Sequence, residues 1–119
     1  ISKNGGTATY RAQVLVNENA TNSKCSVSCE SLMLDDISKS DTIPVNDIRT
    51  DDVEFSHEAK TGKISDKSIF YLMSRGLSEE DALGMIVRGF ADPISKELPV
   101  EYAVEMNNWI NLELEGAIG

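Results

Sequence analysis

The chain has 119 residues, 40% apolar and 26% charged, with a formal net charge of −9 and a pI near 4.5. That size holds one domain, or one small domain plus part of another, and the composition is globular rather than disordered. The acidic balance disfavours a phosphate backbone as partner, and no apolar run reaches the roughly 18 residues of a membrane span, so neither nucleic acid nor membrane is an expected partner.

The chain starts at Ile1 without a methionine or a signal peptide, inside what reads as extended chain, so a piece of something longer is expected. Thr7 to Val16 alternates as a strand does, with Ala8, Tyr10, Ala12, Val14 and Val16 on one face. Asn17 to Lys24 is turn material. A second strand is expected from Cys25 to about Leu34, with Cys25, Val27, Cys29, Ser31 and Met33 on one face. Asp35 to Ser40 turns again, and Thr42 to Val45 reads as a short strand that Pro44 confines to an edge or bend. Val53 to Thr61 is the fourth strand: Val53, Phe55, His57 and Ala59 take one face, and Glu54, Ser56, Glu58 and Lys60 the other. Strand ends recur about every 18–20 residues, a spacing that suits the stacked coils of a β-solenoid. A piece of a β-sandwich fits the same pattern equally well.

After Gly62 the period becomes helical. Ser65 can cap a helix carrying Ile69, Phe70, Leu72 and Met73, with Gly76 as its stop. Ser78 to Asp81 resembles a capping box for a second helix with Ala82, Leu83, Met85, Ile86 and Phe90, expected to end near Pro93. Pro99 suits the first position of a third helix reaching Leu114, with Gly116 after it. Its expected buried face is Val100, Ala103, Val104, Met106, Ile110 and Leu114.

Few residues carry candidate chemistry. Cys25 and Cys29 lie four residues apart on a strand, roughly 13 Å, beyond the roughly 7 Å limit for a disulfide, so two separate thiols in a reducing cytosol are expected. A free cysteine is more often a small buried hydrophobe than a ligand, and CxxxC on a strand is not a chelating spacing. His57, the only histidine, sits on the apolar face, where a satisfied core residue is the ordinary outcome. Glu58 points the other way, so the two can share a site only at a bulge or at an interface wrapping the edge. No nucleophile, phosphate-loop or paired-carboxylate motif is present, and a hydrolase using Glu58 and His57 as acid and base lacks a pocket motif.

The stretches "SCESLML", "SDTIP", "HEAKTGKI", "FYLMSRGLSEEDALGMIVRGF", "KELPVEYAVEMN" and "LELEGAIG" occur in this order. Together they resemble the carboxy-terminal end of the SufB/SufD family of the SUF iron–sulfur cluster assembly system, on its SufB side. The resemblance covers essentially the whole chain. It implies the last coils of a β-helix core over residues 1–62 and a small carboxy-terminal helical domain over residues 63–119. The implied role is a cytoplasmic assembly scaffold, not an enzyme, working with a SufD-type paralogue and a SufC-type ATPase. The sulfur donor would act through upstream coils outside this sequence. The family's cluster-assembly cysteine falls on Cys29 and its His-Glu pair on His57 and Glu58, so these three are the implied ligands of a transient iron–sulfur cluster. Ser56 departs from the family's acids beside that pair, and no third ligand is assigned there. Thiolate is the soft donor such clusters prefer, while imidazole or carboxylate completes a labile shell. The helices are implied to dock the ATPase, with Met85, Arg88 and Phe90 as candidate contacts; plain helix packing is the competing reading for these three. A SufD-like subunit that recruits the ATPase without cluster chemistry is the alternative, and Cys29 discriminates against it. This segment by itself is expected to hold no stable cluster, and its open sheet edge is expected to invite a second chain into a dimer.

Overall fold

The computed structural model describes residues 1–115. In order they form β1 (Thr7–Val16), β2 (Ser23–Met33), β3 (Lys39–Ile48), β4 (Val53–Lys63), α1 (Asp66–Ser74), α2 (Glu79–Glu97) and α3 (Val100–Glu115). The fold is mixed β and α, in two compact units, Ile1–Ile64 and Ser65–Gly119.

In the first unit alternate strands pair. β1 lies parallel to β3, from Thr7 opposite Lys39 to Val16 opposite Ile48. β2 lies parallel to β4, from Ser23 opposite Val53 to Met33 opposite Lys63. The stacking step is therefore 30 residues along β2 and β4 and spans two strands, not the one-strand step of 18–20 expected from strand ends. Parallel neighbours require such a crossover, because two successive strands joined by a short turn cannot run the same way. The strand faces follow the expected alternation in the main: Ala8, Ala12, Val14 and Val16 are covered on β1, and Cys25, Val27, Cys29, Ser31 and Met33 on β2, but Tyr10, expected on the covered face of β1, is exposed, and Leu32 is buried on the other face of β2. β3 is longer than the expected Thr42–Val45 and carries Pro44 at its middle. That is tolerated because, among the described residues, β3 pairs with β1 alone, so the missing N–H can lie on the open edge.

Two carboxylates pin the corners. Asn4 and Asn22, just ahead of β1 and β2, both have left-handed backbones, with φ of 55° and 52°. Asn4 N–H donates to Asp35 Oδ2 at 2.5 Å, and Asn22 N–H donates to Asp52 Oδ2 at 2.7 Å. Asparagine tolerates this conformation better than other residues with a Cβ, and here the turned N–H finds a charged acceptor on the next layer. Asp35 Oδ1 also accepts from the N–H groups of Ile37, at 3.0 Å, and Ser38, at 2.6 Å. The Ser38 side chain foremost, then the backbone N–H groups of Ser38, Asn4 and Ile37, hold the Asp35 carboxyl below its ordinary range against an opposing desolvation.

In the helical unit the caps form as the sequence implies. Ser65 Oγ accepts from Ser68 N–H at 3.1 Å, and Ser78 Oγ accepts from Asp81 N–H at 3.0 Å. Each such cap stabilises its helix by about 1 kcal/mol. Past α1, Gly76 has φ 96°, Gly76 N–H donates to Met73 O, and Leu77 N–H donates to Leu72 O, the paired closure that needs a left-handed residue. Two expectations fail. α2 runs through Pro93 to Glu97 instead of ending there. The carbonyl that the proline ring crowds belongs to Gly89, four residues back, the residue whose backbone yields most readily. The buried faces also differ. α2 packs against α1 and α3 and buries Ala82, Gly84, Val87 and Ala91. Phe70, Met73 and Met85 lie exposed, and on α3 Val100 and Val104 are exposed while Ala103, Met106 and Ile110 are half-covered and Leu114 is buried. Small residues let helices approach closely, and the larger ones are left outside the contact. Gly116 lies outside the described residues.

Two outcomes are expected. Asp35 stabilises the fold above about pH 3.8, and that contribution is lost as pH falls through its lowered native value. Asp35→Asn should therefore lower the urea midpoint at pH 7, with the difference closing as pH falls through the lowered native value of Asp35. A deficit that stays the same as pH falls would show that the charge itself contributes nothing. Gly76→Ala meets no atom within 4 Å, so its cost is backbone strain alone, about 1–2 kcal/mol in a thermal melt.

Candidate functional site

The parallel register of β2 and β4 builds the site. Val27 faces His57 and Cys29 faces Ala59, so Cys29 and His57 occupy adjacent rows of one sheet face. Cys29 Sγ lies 3.4 Å from His57 Nε2, both residues half-covered. Ala59, opposite Cys29, presents only a methyl group. The next row pairs Ser31 with Thr61, and the Ser31 hydroxyl donates to Thr61 Oγ1 at 3.3 Å.

A thiolate and an imidazole bound to one tetrahedral metal sit about 3.5 Å apart, given metal–sulfur and metal–nitrogen bonds of about 2.3 and 2.0 Å. The observed separation matches that bite. Among the described residues no group of three or more His, Cys, Asp and Glu side chains could hold a metal ion. The described residues thus bring two donors, Cys29 and His57, to this point and not a full ligand set.

Glu58 is not brought to this pair. The register continues without a bulge from Ser23 to Met33, so Glu58 points to the opposite face. There it is exposed and 3.5 Å from Lys60 Nζ, which also lies 3.6 Å from Glu30. Cys25 shares the face of Cys29, opposite Phe55, and both cysteines are free thiols. On α2, Met85 is exposed and Phe90 half-covered. Arg88 donates to Asn111 Oδ1 on α3 at 3.2 Å, its guanidinium lying over Gly84 where a Cβ would come within 3.2 Å of it. Arg88 thus ties α2 to α3.

Sequence reasoning missed the Ser31–Thr61 pair and the Lys60 bridge. The 30-residue step that sets "CES" beside "AKT" would have found both. It also missed the exposed stripe of Tyr102, Trp109 and Leu112 on α3, which the spacing of 7 and 3 residues places on one side.

Comparison with known proteins agrees with the motifs. A family model described as SUF system FeS cluster assembly, SufBD core domain, matches residues 1–90. An iron–sulfur cluster assembly SufBD family protein of Mycobacterium leprae is 53% identical over 119 residues, all of this chain and 14% of that protein. The iron–sulfur cluster assembly protein SufB of Bacillus subtilis is 52% identical over 119 residues, 26% of its length. A SufBD family protein of Staphylococcus haemolyticus matches to the same extent, 52% over 119 residues and 26% of its length. The chain thus spans from 14% to 26% of the length of these curated relatives. On the family model and these full-chain identities, the chain belongs to the SufBD family of the SUF iron–sulfur cluster assembly system.

Proposed function

We propose that this segment is the cluster-handling end of a SufB-type scaffold, in which Cys29 and His57 contribute ligands to an iron–sulfur cluster that is built and passed on. The observation that carries this reading is the Cys29–His57 contact of 3.4 Å, a soft donor beside a borderline one at chelating distance. Two ligands hold cargo weakly, which suits a protein that must release what it assembles. The chain's own residues bind and orient, and ATP hydrolysis belongs to a SufC-type partner. The parallel stacking of alternate strands at a 30-residue step supports a β-helix core continuing beyond this unit. A SufD-type paralogue supplies the remaining ligands at the open edge, in the cytoplasm. Glu58, on the opposite face, reaches such a shared site only through the partner chain. A SufD-like role without cluster chemistry leaves the Cys29–His57 pair unexplained.

The test is anaerobic reconstitution of the full-length complex with iron and sulfide. Cys29→Ser should abolish the cluster chromophore with folding intact, His57→Ala should lower its yield several-fold, and Cys25→Ser should be nearly silent. A normal yield from Cys29→Ser would overturn the reading. For Glu58→Gln, a lost chromophore only when the paralogue is present would place that carboxylate at the interface.

The helical unit is the proposed ATPase platform. Exposed Met85 and Trp109 are the best-placed anchors, and Phe90 is half-covered. Truncating true anchors costs on the order of 1–3 kcal/mol each. Calorimetric titration of the ATPase into full-length protein should show weaker binding for Met85→Ala with Phe90→Ala, and for Trp109→Ala. Unchanged affinity, with unchanged circular dichroism, would move the platform to another face.

A further inference from the structure

We infer that Asn4–Gly5 is a deamidation site that the fold holds closed. Ser38 and Asp35 lock the turn that carries it, and conversion of Asn4 to aspartate or isoaspartate runs only when this corner of the β unit opens. The site lies just ahead of β1 and is independent of any cluster at Cys29.

Asn4–Gly5 is the one Asn-Gly pair in the sequence. In such a pair the glycine backbone nitrogen attacks the asparagine Cγ. A C–N bond forms, the side-chain amide leaves as ammonia carrying the proton of the glycine nitrogen, and a five-membered succinimide ring results. Water then opens the ring at either carbonyl. One opening gives aspartate; the other gives isoaspartate, with the main chain rerouted through the side chain. Glycine eases the attack because no Cβ hinders its nitrogen and the chain turns freely there.

Ring closure needs the Gly5 nitrogen on the Cβ side of Asn4, and the fold holds it elsewhere. Gly6 N–H donates to Lys3 O at 2.9 Å, and the two residues between have positive φ, 55° at Asn4 and 73° at Gly5. This is a type I′ turn, which favours Asn-Gly for its shape alone. In the left-handed conformation of Asn4 the following nitrogen points away from Cβ, so the reacting atoms are kept apart. Two further bonds fix that conformation. Gly5 N–H donates to Ser38 Oγ at 3.1 Å, and Asn4 N–H donates to Asp35 Oδ2 at 2.5 Å. Ser38 is 5% exposed, and its hydroxyl also bonds the Asp35 carboxylate. Rotation at Asn4 therefore breaks contacts with a buried serine and a charged acceptor together.

The second corner supplies a control. Asn22 has φ 52° and donates its N–H to Asp52 Oδ2 at 2.7 Å, and Ser23 N–H donates to Asp52 O at 3.3 Å. Those bonds go to Asp52, not to Ser38 or Asp35, and the Ser23 Cβ hinders attack. At the first corner either product puts a carboxylate on the residue whose N–H Asp35 accepts, and isoaspartate also lengthens the main chain by one methylene. Like charge and altered spacing both oppose reclosure, so each opening that reacts leaves the corner weaker.

The test incubates full-length protein at neutral pH, folded and unfolded in urea, and follows the peptide carrying Asn4 by mass spectrometry. A protein isoaspartyl methyltransferase identifies the isoaspartate. The folded protein should react roughly tenfold or more slowly than the unfolded chain, since each of the two side-chain bonds accounts for about fivefold. Ser38→Ala should speed the reaction in folded protein about fivefold, the factor one such bond confers, and Asp35→Asn should speed it as well. Asn22 in the same digests should keep its wild-type rate. Melting temperature and circular dichroism check folding, and if Ser38→Ala does not fold, Asp35→Asn decides. Equal rates in folded and unfolded protein would overturn the inference. So would a rate at Asn4 that neither variant changes, or one that rises only in step with Asn22, the mark of global unfolding.

Discussion

The alignment of β2 with β4 is the constraint from which the site follows. Parallel pairing is slightly weaker per residue than antiparallel pairing, and a slip of one position would carry every side chain of a strand to the other face. Such a slip would put Glu58 beside Cys29 and turn His57 away. Several features fix the alignment. Asp52 accepts the N–H of Asn22 immediately before the first paired residues, Ser23 and Val53, so the register is set at its origin. Lys24 with Glu54 and Lys60 with Glu30 then match opposite charges across the outer face. Each exposed pair contributes little, but every slipped register loses all of them together. On the inner face Val27, Phe55 and Val53 supply the apolar cover.

Much of this was legible in the sequence, and the failures have a common cause. Alternation identified the inner residues of β1, β2 and β4, including Cys29 and His57 on covered faces, because period 2 is a property of the strand itself. Which strand pairs with which is not a local property. Strand ends at Val16 and Leu34 suggest a one-strand step, and only the matching of Asn4 with Asp35 and Asn22 with Asp52, roughly thirty residues apart, shows that two strands make one step. The helices behave likewise. Ser65, Gly76 and Ser78 act through their neighbours in sequence and were readable. The burial of Gly84 and Ala91, against the exposure of Phe70 and Val104, depends on which helix lies alongside. Hydrophobicity names the residues that could be buried, whereas close helix approach selects small ones.

The two faces of the β2–β4 sheet do different work, and the division accounts for the pairing of weak and strong contacts. The outer face is a lattice of complementary charges and a short serine pair, which specifies register and tolerates water. The inner face holds a thiol, an imidazole and two hydroxyls in consecutive rows among apolar residues. With the charge pairs of the register on the outer face, the side chains of Cys29, His57, Ser31 and Thr61 on the inner face are not the ones that fix the alignment of the strands.

The helical unit inverts the usual arrangement of size and burial, and its charge restricts what can cover it. Ala82, Val87 and Ala91 are buried, while Trp109 and Tyr102 are 59% and 67% exposed. A unit of some fifty residues has little interior, and aromatic side chains left outside it represent surface that association can remove from water. That surface is flanked on α3 by Glu101, Glu105 and Glu113, with no lysine or arginine anywhere between Val100 and Glu115. Glu105 already accepts the Trp109 indole N–H at 2.9 Å, which fixes the ring on the acidic side of the helix. Self-pairing through this stripe would set carboxylates against carboxylates in a chain of net charge −9. Aromatic surface and carboxylates thus share one exposed side of α3, where apolar area and like charge act in opposite directions on any self-association through it.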